Sequence, residues 1–190
     1  KTLFNYFWKG NIQINSEFIN RENILMNLSP IIKNNKIEVD VFSLDIDGND
    51  YWIMEEIMPF MNSELIILEY NPFFGSKLSL STPYIKNFNR TRYHFSNLCF
   101  GASLKAFYQL LEKFGYIFLG SNINNNNGFW IKKSKLDLFN LDLPNINSLS
   151  NYTNCFTRES RNIKGELTLL NKDQIINEIK NCKVVNLEDS

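Results

Sequence analysis

Residues 39–72 read VDVFSLDIDGNDYWIMEEIMPFMNSELIILEYNP and contain two short apolar runs separated by a segment with helical spacing. The runs, 39–46 and 65–68, are nearly continuous and rich in β-branched residues, which is typical of strands buried on both faces of a parallel sheet. The segment between them repeats apolar residues with the period of a helix, and Pro59 favours its end. These residues therefore predict a strand, a helix and a second, parallel strand.

Acids and amides follow both predicted strands at the points where the strands end. They are Asp45, Asp47, Asn49 and Asp50 after the first strand, and Glu69 and Asn71 after the second. The carboxyl ends of strands line the ligand crevice of an open α/β sheet, so these side chains should converge on one rim. Such groups can hold a divalent cation, take a proton from a hydroxyl, or bind an amine or ribose hydroxyl. A simpler alternative is that Asn49 and Asp50 only cap the following helix.

The same acids also fit part of a calcium-binding loop. Asp45, Asp47, Asn49 and Glu56 occupy positions 1, 3, 5 and 12 of the EF-hand spacing. Position 6, which should be glycine, is Asp50, and a buried strand rather than a helix leads into the loop. Both departures disfavour this alternative.

The rest of the chain continues an α/β pattern. Apolar spacing predicts helices over residues 21–34 and 104–114. Two further strands, 116–120 and 129–131, are joined by an Asn-rich turn and predict a hairpin. Residues 72–100 have no clear period, and we expect a substrate-covering loop there because such long irregular stretches are usually functional or mobile.

Composition limits the classes of function. The chain has 190 residues with 20 Lys plus Arg against 20 Asp plus Glu, so no basic surplus favours nucleic-acid binding. No apolar run approaches the ~20 residues needed to cross a bilayer, and no signal-peptide pattern opens the chain. We therefore expect no nucleic-acid or membrane partner and a cytoplasmic location.

Cysteine and histidine are few and widely spaced. Cys99, Cys155 and Cys182 form no CxxC pair, and their spacing with the single His94 predicts no zinc-ligand set. We expect the cysteines to be buried or free thiols. His94 lies in the long loop and is a candidate base near neutral pH, although a lone loop histidine is more often a surface residue.

Four segments carry a resemblance to a known family: residues 42–52, 67–72, 100–104 and 127–130. Together they resemble the C-terminal half of the FkbM-type branch of class I S-adenosylmethionine-dependent methyltransferases. The resemblance implies a Rossmann-like α/β sheet of order 3-2-1-4-5-7-6, mostly parallel, with a C-terminal antiparallel hairpin. This chain would supply strands 4 to 7, with 11–18 as strand 3 and the other N-terminal strands missing.

The resemblance also divides the chain. Residues 1–135 would form a partial methyltransferase-like domain, and residues 136–190 a C-terminal appendage whose last helix is capped by Asn171. The family binds its cofactor mainly through a Gly-rich loop after strand 1, and no such loop precedes Asp45. We therefore expect the chain to be the C-terminal part of a longer enzyme. The less simple alternative is a self-standing descendant that covers its apolar edge by forming a homodimer.

The activity that the resemblance implies is methyl transfer from S-adenosylmethionine to a hydroxyl of a small molecule or glycan. Asp47 is the candidate base, with His94 as a second catalytic candidate, and Asp45 and Asp47 would contact the cofactor. The predicted acceptor contacts are Asn49, Asp50, Glu69, Tyr70 and Asn71. A divalent metal would use Asp45 or Asp47 together with Glu69 and Asn71.

Two other classes of function stay open at this point. One is a non-catalytic, degenerate or fragmentary module that acts through the open edge of its sheet. The other is a metal-dependent hydrolase that uses the same acids.

Overall fold

A computed structural model describes residues 10, 12–138, 143–154 and 157–188. They form a mixed α/β structure with one four-stranded sheet and three two-stranded antiparallel sheets. The helices are α1 (Ile24–Leu28), α2 (Asp50–Ile57), α3 (Arg90–Tyr93), α4 (Leu104–Lys113) and α5 (Lys172–Ile179). The strands are β1 (Ile32–Lys33), β2 (Lys36–Ile37), β3 (Val41–Leu44), β4 (Leu65–Glu69), β5 (Leu80–Ser81), β6 (Tyr116–Ser121), β7 (Asn127–Lys132), β8 (Thr157–Arg161), β9 (Leu167–Asn171) and β10 (Val185–Asn186).

The four-stranded sheet has the order β3-β4-β7-β6. β3 and β4 are parallel, so the predicted strand, helix and parallel strand are confirmed. The predicted hairpin of β6 and β7 is also confirmed, but its second strand lies beside β4, antiparallel to it. Among the described strands of this sheet, β3, β4 and β6 run in one direction and β7 runs against them, so the sheet is mixed.

The core lies between this sheet and helices α2 and α4. Ile53, Met54 and Ile57 of α2 are fully buried, and Ile66 and Leu68 of β4 are fully buried as well. Burying aliphatic side chains of this size stabilises a fold by ~1.5–3 kcal/mol each. The same packing fixes the position of the β3–α2 turn at the edge of the sheet where β3 and β4 end.

The N-terminal region differs from its prediction. α1 has five residues rather than the fourteen of 21–34, because Pro30 lies in a 3₁₀ turn that ends the helix. A small hairpin of β1 and β2 follows, with Asn34 and Asn35 at φ +48° and +57°, as a two-residue primed turn requires. Residues 12–18 contain no strand, so the prediction of strand 3 is wrong there, and Asn11 lies outside the described residues.

The C-terminal region contacts the long loop. The predicted last helix is confirmed as α5, and Asn171 and Gln174 cap it by reciprocal side-chain to backbone hydrogen bonds of 3.0 Å. Ile175 of α5 is fully buried against Phe73 and Leu98, and β10 pairs with β5. Within the described residues, no helix is both long and apolar enough to traverse a bilayer.

Candidate functional site

Three acidic side chains meet at the carboxyl ends of β3 and β4. One carboxylate oxygen from each of Asp45, Asp47 and Glu69 lies within 4.8 Å of the other two, and we call these residues the acidic cluster. Asp45 and Asp47 are exposed, whereas Glu69 is buried. The predicted convergence of the two strand ends is therefore confirmed.

The turn between β3 and α2 is held by Asp50, whose carboxylate is almost fully buried. One of its oxygens accepts the backbone N–H of Ile46 at 3.0 Å, and the other accepts that of Gly48 at 2.8 Å. Burial, with a smaller contribution from the nearby charge of Glu69, raises the pKa of Asp50 to about 6 against the opposing effect of these bonds. Asp50 therefore shapes the turn that presents Asp47, which itself has φ +59°.

Asp47 forms an ion pair with Arg90 from α3. A guanidinium nitrogen of Arg90 lies 2.6 Å from Oδ1 of Asp47. Arg90 Nε also donates to the carbonyl of Asn97 at 2.6 Å, and the guanidinium lies 3.7 Å from the ring centre of Phe100. Arg90 is thus fixed by three contacts, while the Asp47 side chain is 61% exposed to solvent.

A cleft of about 470 Å³ opens beside this ion pair. Its wall combines apolar, amide and charged side chains, namely Phe18, Ile46, Asp47, Phe88, Asn89, Arg90, Thr91, Asn97 and Glu159. A neighbouring hollow of about 280 Å³ shares Phe18, Ile46, Asp47 and Phe88 with it. Six of the nine residues that line the larger cleft are polar or charged, so its wall is more polar than that of the usual small-molecule site.

Asn49, a predicted acceptor contact, makes hydrogen bonds within the chain. It is 2% exposed, its amide donates to the carbonyl of Ile85 at 2.8 Å, and its oxygen accepts the N–H of Ile85 at 3.4 Å. Its side chain does not cap α2, so that simpler alternative is wrong for Asn49. Asn49 instead ties the long loop to the start of α2, and it also lines the smaller hollow.

The predicted contacts Tyr70 and Asn71 are fully buried and attach other segments to the end of β4. Asn71 donates to the carbonyls of Leu98 (2.8 Å) and Phe100 (3.1 Å) and accepts the N–H of Phe73 at 3.1 Å. The Tyr70 hydroxyl donates to a backbone carbonyl, that of Tyr152, at 2.6 Å. These bonds hold the loop and the C-terminal region against the sheet.

The calcium-loop alternative is wrong. Asn49 points its amide at Ile85, and the carboxylate of Glu56 lies 3.3 Å from Arg21, so neither side chain joins Asp45 and Asp47 around one centre. β3 leads into the turn, where an EF-hand would have a helix.

His94 belongs to a second group of residues. Its imidazole and the sulfurs of Cys99 and Cys182 lie within 4.8 Å of one another, and we call these residues the thiol–imidazole cluster. Cys99 and Cys182 form a disulfide with Cα atoms 5.9 Å apart across 83 positions of sequence. The expectation of free thiols is wrong for this pair, although Cys99 is buried as expected. Because the two sulfurs are bonded to each other, the prediction that these residues form no zinc-ligand set stays a prediction. Cys155 lies outside the described residues.

Arg90 and Asn97 are cleft residues that the sequence predictions missed. Their loop lacks periodicity, and its positions depend on bonds to distant residues, such as Asn71 to Leu98 and Asn49 to Ile85. One signal in the sequence could have indicated Arg90: it is a basic residue in the loop expected to cover the acidic strand ends.

Comparison with known proteins gives no relative from which a function could be inferred. No family model, no curated protein and no solved structure matches the chain. We therefore derive a function from the acidic cluster, the ion pair and the cleft.

Proposed function

We propose that this cleft belongs to an S-adenosylmethionine-dependent methyltransferase that acts on a hydroxyl of a small molecule or glycan. The observation that carries the proposal is the convergence of Asp45, Asp47 and Glu69 where the parallel strands β3 and β4 end. Ligand crevices of α/β sheets form at such ends. The adjacent cleft of about 470 Å³ lies within the size range of small-molecule sites.

The strand order supports the same proposal. The family resemblance implies strands in the order 4-5-7-6, with strand 7 antiparallel to its neighbours. The order β3-β4-β7-β6, with β7 antiparallel to β4 and β6, agrees with that arrangement. The pairing of β7 with β4 is a tertiary contact that the four resembling segments do not state by themselves, so it adds support to the proposal.

The acidic cluster fits the cofactor's chemistry in part. S-adenosylmethionine supplies an electrophilic methyl group on a positively charged sulfonium. The exposed carboxylates of Asp45 and Asp47 can attract that charge or accept hydrogen bonds from ribose hydroxyls. Arg90 limits how far Asp47 can turn, because the two side chains are paired at 2.6 Å.

Asp47 has the exposure and position to act on the acceptor. Its carboxylate accepts a hydrogen bond from the acceptor hydroxyl and holds the proton that this hydroxyl gives up on methylation. Arg90 orients the carboxylate through the ion pair, and Phe88 and Phe18 offer apolar surface to the rest of the acceptor.

A divalent cation is the second ligand that the acidic cluster suits. Three carboxylates within 4.8 Å offer the oxygen donors that Mg²⁺ and Mn²⁺ prefer. Asn71, which the sequence suggested as a further ligand, uses its side chain to hold Leu98, Phe100 and Phe73. A metal role therefore rests on Asp45, Asp47 and Glu69.

Calorimetry on the full natural chain tests the proposal. Titration with S-adenosylmethionine should release heat, and Asp47→Asn should weaken binding by about tenfold, the effect of losing roughly 1.4 kcal/mol. Glu112→Gln, an exposed acid on α4, is the matched control and should bind like the wild type. No heat at millimolar cofactor from the folded chain would overturn the proposal.

A non-catalytic module is the second candidate, and one observation favours it. Among the described residues, β3 pairs only with β4, and Val41 on this strand is 52% exposed. An open strand edge can pair with another chain, here a second copy in a homodimer. A dimer by light scattering that binds no cofactor would support this candidate, whereas a cofactor-binding monomer would contradict it.

We retain the cytoplasmic location as a proposal, although the disulfide between Cys99 and Cys182 is evidence against it. Disulfides persist mainly in oxidising compartments. Cell fractionation distinguishes a cytosolic from an oxidising compartment. Recovery of the protein in the cytosol with Cys99 and Cys182 reduced would support the proposal. Recovery outside the cytosol with the disulfide intact would overturn the proposal.

A further inference from the structure

The thiol–imidazole cluster lies where the long loop meets the C-terminal region. Cys99 is completely buried, whereas His94 and Cys182 are partly exposed. Two of these residues come from one loop, five positions apart, and the third comes from beyond α5. Within the described residues, this group and the acidic cluster are the two sets of three side chains whose ligand atoms come this close together.

Ser96 holds the imidazole of His94 in place. Its hydroxyl oxygen lies 2.7 Å from Nδ1 of His94 and also accepts the backbone N–H of Leu98 at 3.2 Å. Ser96 is fully buried, and His94 stacks on Phe95 with ring centres 4.5 Å apart. The backbone N–H of Ser96 also donates to Nδ1 at 3.3 Å, so Nδ1 is an acceptor in the structure. Metal binding through Nε2 therefore requires the other tautomer, in which Nδ1–H donates to the Ser96 hydroxyl oxygen and the lone pair lies on Nε2.

We propose that the reduced thiol–imidazole cluster binds one Zn²⁺ through the sulfurs of Cys99 and Cys182 and the imidazole of His94. Two thiolates and one imidazole are a ligand set that zinc accepts, and a water on the partly exposed side completes four-coordination. The site excludes Mg²⁺, which requires oxygen ligands.

Charge balance supports the site. A thiolate is costly to bury alone, and Cys99 has no exposed surface. Two thiolates around one Zn²⁺ form a neutral unit, so the metal removes that cost. Binding releases the two thiol protons to solvent, which makes the affinity rise with pH.

The disulfide and the metal exclude each other, because both use the two sulfurs. A phosphine reductant and one water convert the disulfide into two thiols and a phosphine oxide, and Zn²⁺ then replaces the two thiol protons. The disulfide and the metal-bound form each link the C-terminal region to the long loop that contains Arg90. The cross-link is covalent in one state and coordinate in the other.

Cobalt titration of the phosphine-reduced chain under argon tests the site. One equivalent of Co²⁺ should give the visible bands of tetrahedral cobalt and a near-ultraviolet sulfur-to-cobalt band, and Zn²⁺ should displace both. Cys99→Ser, Cys182→Ser and His94→Gln should each weaken binding by at least about tenfold. The matched control, Cys155→Ser, should bind one equivalent like the wild type.

Other results would overturn the proposal even if a cysteine variant fails to fold. His94→Gln removes no thiol, and its folding can be checked by circular dichroism under the same reducing conditions. The folded, oxidised wild type should bind no Zn²⁺, since its sulfurs are bonded to each other. Overturning results are an absence of cobalt bands, zinc bound equally by oxidised and reduced chain, or a site lost in Cys155→Ser but kept in Cys99→Ser.

Discussion

The acidic cluster and the thiol–imidazole cluster each bring three ligand-bearing side chains within 4.8 Å of one another. The acidic cluster comes from a single β3–α2–β4 unit, has oxygen donors only, and opens to solvent beside Arg90. The thiol–imidazole cluster joins chain positions far apart, has sulfur and nitrogen donors, and is closed by a disulfide. The ligand atoms of both clusters lie within the same distance limit, so the type of donor atom and its burial decide which ligand each cluster can bind.

The largest effect should come from removing the cross-link of the thiol–imidazole cluster. Under oxidising conditions, Cys99→Ser should lower the free energy of unfolding by ~2–4 kcal/mol, because the unfolded chain is no longer closed across 83 positions. Urea unfolding followed by fluorescence measures this loss. Cys155→Ser is the control, and an equal loss from Cys99→Ser in reduced, metal-free protein would contradict the disulfide as its cause.

A slightly smaller effect should follow from the buried acid under the acidic cluster. The pKa of Asp50 is raised from 3.8 to about 6, so the folded state favours its protonated form. Its contribution to stability is complete below pH ~4 and is lost as pH rises through ~6, a change of about 2–3 kcal/mol.

The variant Asp50→Asn isolates this dependence. Its free energy of unfolding should fall less than that of the wild type between pH 4 and pH 7, whatever the absolute stability of the variant. Urea unfolding at several pH values gives both slopes. Identical slopes would show that Asp50 ionises in the folded protein as it does in the unfolded chain.

The close contact of the β3–α2 turn with the loop should give a moderate effect. A Cβ at Gly48 would overlap the ring of Phe88, which lines the cleft. Gly48→Ala should therefore cost ~1–3 kcal/mol of stability and displace this wall. Gly75→Ala is the control, because Gly75 has open space around it and only its φ of +74° opposes a side chain. The melting temperatures of both variants test this expectation. A lower melting temperature for Gly75→Ala than for Gly48→Ala would contradict the close contact between Gly48 and Phe88.

The smallest effect on stability should come from the exposed carboxylate at the centre of the proposal. Asp47→Asn breaks an ion pair whose acid is 61% exposed, and such pairs contribute ~0–1 kcal/mol. Its free energy of unfolding should stay within that range of the wild type while cofactor binding falls. A loss of several kcal/mol would assign Asp47 a structural role instead.

The sequence predicts one cluster and not the other for a physical reason. Asp45 and Glu69 end neighbouring parallel strands, and strand periodicity with a short crossover forces those ends together. Cys99 and Cys182 meet because Ile175 packs against Leu98 and because β10 pairs with β5. These contacts depend on tertiary packing that local periodicity does not encode.

The same distinction applies at single residues. The sequence places Asn49 and Asn71 at the correct edge of the sheet, but sequence position does not tell whether an amide faces a ligand or a backbone carbonyl. The helix predicted over 21–34 failed because Pro30 and the turn-forming Asn34 and Asn35 outweighed its apolar spacing.

A titration followed by amide resonances tests the central claim most directly. The ¹H–¹⁵N spectrum of the folded chain would be recorded while S-adenosylhomocysteine, the methyl-transfer product, is added. Binding in the cleft predicts shifts concentrated at Asp45, Asp47 and Gly48 and in the loop at Arg90, with smaller shifts in Asp47→Asn at equal ligand. An unchanged spectrum at millimolar ligand, or shifts confined to residues away from the strand ends, would contradict the assignment of this cleft.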